Sequence, residues 1–151
     1  MSAMSKALYE QDFALWAEQM ADLLEKRRFE ELDIENLVEE IRDLSKRERD
    51  RLLSSLCLIV QHLLKWDYQP DKRSRSWMAT IQRERLNIQD YLQDSPSLKR
   101  YLTDELLYKV YKKARLDVIG ETDLDMPIDC PYQINDVLER DIMSQRVRQV
   151  E

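Results

Sequence analysis

Between Asp33 and Trp66 the apolar residues fall along one helical face, and this pattern limits the fold more than any other feature of the chain. Ile34, Leu37, Val38, Ile41 and Leu44 recur at helical spacing, the pattern lapses over Ser45 to Arg51, and it resumes at Leu52, Leu53, Leu56, Ile59, Val60, Leu63 and Leu64. The step from Ile41 to Leu52 is about three helical turns, so the two stretches are in phase and one long helix with a solvated waist fits them. A break near Ser45 fits them too, and periodicity leaves both readings open. Pro70 ends the helix, because its ring denies helical geometry to the residue before it and removes a donor.

Other helices flank this one. Asp12 is placed as an N-cap for Phe13, Trp16, Ala17, Met20, Leu23 and Leu24, with Lys26, Arg27 and Arg28 where cations suit a helix C-terminus. Asp33 is placed to cap the long helix, and Ser74 or Ser76 a third carrying Trp77, Met78, Ile81, Ile88, Tyr91 and Leu92. Ser95 with Pro96 opens a fourth that runs to Gly120, the only glycine, at the position where a left-handed C-terminal residue is wanted. MPIDCPY then reads as an extended connector, Ile134 to Ile142 as a short last helix, and 144–151 as a polar tail that frays.

With 151 residues, one glycine, 43% hydrophobic and 36% charged residues, the chain fits a single helical domain over 1–143. The expected fold class is all-α, an antiparallel bundle of four to five helices with one long central helix. The aliphatic runs are too short to span a bilayer and the N-terminus resembles neither a signal nor a transit peptide, so a cytoplasmic protein without membrane partners is expected.

The residues also narrow the chemistry. One glycine leaves no phosphate-cradling loop, no serine sits in a nucleophile elbow, and Cys57 lies in a leucine-rich helix where a thiol serves as a small core residue. Cys57 and Cys130 are far apart and His62 is the only histidine, so neither a metal nor another cofactor is expected. The net charge of -6 conceals a polarity: Glu10 to Asp43 carries 12 acidic and 4 basic residues, whereas Lys65 to Arg85 carries 6 basic and 3 acidic ones.

The candidate site is HLLKWDYQPDKRSRSW, where Lys65, Trp66, Tyr68, Lys72, Arg73, Arg75 and Trp77 gather guanidinium forks and aromatic faces that suit a phosphate or an unstacked base. Its structural alternative has Trp66 and Trp77 wedging the helix junction while Arg73 and Arg75 bridge to Glu35, Glu39 and Glu40. Two weaker constellations are those three carboxylates, placed to share a cation or an acid and a base role, and His62 one turn from Lys65 and Trp66.

Several separated blocks, LYEQDFALWAEQMADLLEKRRFEELDIENLVEEI, the basic segment with TIQRER, DSPSLKRYL and ETDLDMPIDCPY, together resemble the bacterial family called domain of unknown function 29 over about Leu8 to Leu138. The resemblance implies a small all-helical protein of a kind common in cyanobacteria and names no activity. LERDIM, from Leu138 to Met143, departs from the acidic, aromatic and proline-containing ending of that family.

Three functions follow from these residues. The first is a non-enzymatic interaction module that binds a protein partner or itself through the long helix. The second is RNA or single-strand binding through Lys65 to Trp77, extended by Arg83 and Arg85 and opposed by the acidic remainder. The third is a metal-assisted phosphodiesterase using Glu35, Glu39 or Glu40 with His62 and Arg73. Enzymatic activity is the less favoured class.

Overall fold

The computed structural model describes residues 3–144, with side chains from residue 7 onward, and every regular element among them is helical. The α-helices are α1 (Ala3–Gln11), α2 (Phe13–Glu25), α3 (Ile34–Tyr68), α4 (Arg75–Asp94), α5 (Asp104–Thr122) and α6 (Ile134–Glu139), with 3-10 turns at Phe29–Glu31, Pro70–Lys72 and Pro96–Tyr101. The chain is all-α with one long central helix, and α3 is unbroken through Ser45. Residues 145–151, most of the expected polar tail, lie outside the described residues.

The chain packs as two compact units, Met1–Arg47 and Glu48–Glu151. In the first, Trp16, Met20 and Leu32 are buried, with Leu8, Tyr9, Ala17, Leu23 and Leu37 packed against them. Asp12 caps α2 as its sequence position requires, accepting from the Leu15 amide at 3.1 Å. α2 stops at Glu25, ahead of the basic run, because Arg27 turns left-handed at φ 57°. The Arg28 amide then reaches Leu23 O and the Arg27 amide Leu24 O, a Schellman closure that satisfies the last carbonyls. Asp33 precedes α3 as expected, but its carboxylate is buried and turns inward, accepting from Trp16 Nε1 at 3.3 Å and Asn36 Nδ2 at 2.7 Å. Ring contacts join Tyr9 and Trp16 edge to face at 4.8 Å, with Phe13 stacked on Trp16 at 5.6 Å.

The second unit is built up, down and up. α4 returns antiparallel to α3, since Trp77 lies by Lys65 while Glu84 lies by Ser55. α5 runs parallel to α3, and Gln61 with Asp117 and Lys65 with Glu121 pair at the same offset of 56 residues. Leu52, Leu56, Ile59, Leu63, Ile81, Leu107, Ala114 and Val118 are all fully buried at the centre. A side chain of Leu size contributes about 1.5–3 kcal/mol on full burial, so this face of α3 anchors the unit.

Besides the early end of α2, three boundaries differ from the sequence expectation, one of them α6, which ends at Glu139 and not at Ile142 because Arg140 leaves the helical region. Ser95 and Pro96 open only the 3-10 turn, and the α-helix starts at Asp104, capped by Thr103 and carrying Asp104 and Glu105 in its first turn. That hydroxyl cap with two acids is the stronger start signal. The helix also passes through Gly120, and the left-handed residue is Asp123 at φ 57°, a type that tolerates this region.

Candidate functional site

The basic, aromatic segment forms the corner between α3 and α4. Ser74 caps α4 by accepting from the Trp77 amide at 3.1 Å, and the turn at Pro70 carries the chain from one helix to the next. Helix ends leave carbonyls without intrahelical partners, and here Arg73 supplies one: its Nε donates to Trp66 O at 2.8 Å while its guanidinium lies 5.0 Å from the Trp66 ring centroid. Trp66 is fully buried. Lys65 is buried as well, and its ammonium donates to both carboxylate oxygens of Glu121, at 3.1 and 3.2 Å, 5.4 Å from the Trp77 ring.

Lys65, Trp66, Arg73 and Trp77 are therefore brought together, as the sequence groups them, and they hold a helix junction. The partner of Arg73 is a backbone carbonyl, in place of the expected bridge to an acidic flank. Tyr68, Lys72 and Arg75 lie exposed at the same corner, and with Lys65 and Arg73 engaged in the fold they leave a smaller basic face than the sequence implies. Arg85 does not extend it: its guanidinium donates to the carbonyls of Val137, Arg140 and Asp136 at 3.0, 2.8 and 3.1 Å, closing the C-terminal end of α6. Arg115 makes similar use of its charge on the carbonyls of Met126 and Pro127.

His62 lies one turn before Lys65 and Trp66 with Nδ1 2.7 Å from Leu58 O. Burial lowers its pKa, and the nearby Lys65 and Arg83 charges push the same way, so the imidazole is neutral at pH 7. Glu35, Glu39 and Glu40 belong to the first unit. Glu40 accepts from the Tyr9 hydroxyl, which raises the Tyr9 pKa to about 12, while Glu35 and Glu39 are exposed. Among the described residues no group of three or more His, Cys, Asp or Glu is placed to hold a metal ion.

The sequence reading missed a second cluster. Arg140 donates to both oxygens of Asp67, at 2.9 and 2.6 Å, and the buried Tyr132 hydroxyl donates to Asp67 Oδ2 at 2.7 Å. Burial and the carboxylate beside it push the Tyr132 pKa far above the ordinary phenol range, so it stays a donor. Tyr111 donates to Pro127 O, and Asp104 accepts from the Ile134 amide at 2.8 Å. Together these contacts fasten the extended MPIDCPY connector and α6 to the helices. The only sequence signal was the grouping of prolines and Tyr132 in a segment with no helical pattern.

This arrangement accounts for two blocks of the resemblance: the basic segment is a helix junction, and the proline-rich block is a strap fixed at both ends. The family model described as Domain of unknown function DUF29 matches residues 8–143. The chain belongs to that family. The match takes in LERDIM, and the Arg140 within it makes the fork to Asp67, so the DUF29 region ends on residues that secure the fold. No curated protein and no solved structure matches the chain.

Proposed function

We propose that this DUF29 protein is a non-enzymatic interaction module of the bacterial cytoplasm whose long helix pairs with a second copy of the chain. One observation carries the reading. The apolar face of α3 is fully buried at Leu52, Leu56, Ile59 and Leu63, whereas the apolar stripe toward the N-terminus of the same helix is open, with Ile34 51%, Val38 41% and Ile41 63% exposed. A helix of this kind loses stability by leaving such a stripe in water, and an apolar helix laid along it removes that cost.

Charge favours a second copy as the partner. Glu35, Glu39 and Glu40 precede Ile41, while Arg42, Lys46, Arg47, Arg49 and Arg51 follow it, against Asp43, Glu48 and Asp50. In an antiparallel, two-fold pair centred near Ile41, the acidic flank of each α3 meets the basic flank of the other. Membrane partners are not part of this reading, and among the described residues no helix is long and apolar enough to cross a bilayer.

The geometry is tested by a single engineered cysteine. With Cys57 and Cys130 changed to Ser, Ile41→Cys near the two-fold axis should form a disulfide-linked dimer on mild oxidation, whereas Phe29→Cys, away from the stripe, should not. Equal crosslinking at both positions, or none at Ile41→Cys, contradicts the pairing.

A further inference from the structure

Within the second unit, α3 and α5 lie close where Gln61 donates to Asp117 at 2.9 Å, and they part toward Leu53 and Leu106. The opening is a groove of about 410 Å³ lined by Leu53, Ser54, Cys57, Leu106 and Val110, with Lys109 and Lys113 on its rim. Its volume falls within the range of small-molecule sites, roughly 300–1,000 Å³. The floor is mostly apolar. The two lysines are one turn apart on α5, and among the described residues neither forms an ion pair, although the other lysine on the α3–α5 seam, Lys65, is fully engaged with Glu121.

We propose that this groove binds a single-chain amphiphile with an anionic head, its carboxylate held between Lys109 and Lys113 and its alkyl chain laid over Leu53, Cys57, Leu106 and Val110. The two ammonium groups fix the sign of the head group, and the apolar floor fixes the nature of the rest. A neutral ligand would make no use of the two exposed cations on the rim, and a purely ionic ligand would leave the floor in water. The site stands apart from the pairing of α3 at Ile41 and needs no second copy of the chain.

Cys57 provides the readout, because its half-buried thiol lines the groove. Burial and the Asp117 charge raise its pKa, so labelling is best followed at mildly alkaline pH, where enough thiolate forms. In a Cys130→Ser protein, decanoate below its micellar concentration should slow maleimide labelling of Cys57. Across hexanoate, octanoate and decanoate the concentration giving half protection should fall about fourfold per methylene. Decanol should protect at least tenfold more weakly, and Lys109→Gln with Lys113→Gln should raise the half-protection concentration of decanoate to that of decanol while helical circular dichroism is unchanged. No protection by decanoate, equal protection by decanol, or undiminished protection in the double variant would overturn the assignment.

Discussion

Arg140 and Asp67, 73 residues apart in sequence, meet as a two-point fork with hydrogen bonds of 2.9 and 2.6 Å. Both side chains are about one quarter exposed, at 26% and 24%, so the pair is shielded from water without being wholly removed from it. Tyr132 adds a third donor to the same carboxylate. Removing either end leaves a partly buried charge and, with Asp67 gone, a buried phenol without its acceptor. Arg140→Ala and Asp67→Ala should each lower unfolding stability by about 2–3 kcal/mol, with a coupling of roughly 1–2 kcal/mol in the double variant. Urea unfolding of the four proteins measures both, and additive losses would show that the fork contributes nothing of its own.

Arg73 and Arg75 look alike in sequence and are placed differently in the fold. Arg73 caps the Trp66 carbonyl and stacks on its ring, whereas Arg75 is exposed in the first turn of α4. Arg73→Ala should cost about 1–2 kcal/mol of stability and Arg75→Ala no more than about 0.5 kcal/mol. Equal losses would contradict the helix-junction role assigned to Arg73. In a nucleic-acid titration across a salt series, Arg73→Ala should leave the binding of single-stranded RNA unchanged, because Arg73 is committed within the fold; salt-sensitive binding lost in the Arg73 and Arg75 double variant would instead restore the phosphate-binding reading.

His62 gives the protein a pH dependence of known sign. Its folded pKa lies below the ordinary 6.5, chiefly through burial, so on acidification the unfolded chain takes up the proton first. The contribution is complete above about pH 6.5 and is lost as the pH falls below it. Denaturant midpoints should therefore drop between about pH 7.5 and about pH 5.5, and His62→Gln should flatten that slope. An unchanged slope in the variant would assign the dependence to another group.

What could be read from the sequence divides along a physical line. The caps at Asp12 and Ser74, the phase of α3 and the end at Pro70 are local: the residue that signals the boundary is within a turn of the backbone it serves. Where two local signals competed, the nearer one misled, as with Ser95 ahead of Thr103 and Gly120 ahead of Asp123. The candidate corner was legible as a group because its members are close in sequence. Their tasks were not, since Lys65 answers to Glu121 and Asp67 to Arg140, and only the parallel course of α5 and the return of the connector bring those partners near. Arginine was especially misleading: Arg73 and Arg85 count toward the basic segment in sequence, yet each donates to backbone carbonyls, a use of charge that leaves no periodic trace.

The central claim is that the uncovered half of the α3 stripe is a pairing surface, and sedimentation velocity over a concentration series tests it most directly. The wild-type chain should sediment increasingly as a dimer as concentration rises, and Ile41→Glu, which places a charge on a residue 63% exposed and so spares the core, should remain a monomer with unchanged helical content. A wild-type protein that stays monomeric throughout, or a variant that dimerises as well as the wild type, would contradict the account.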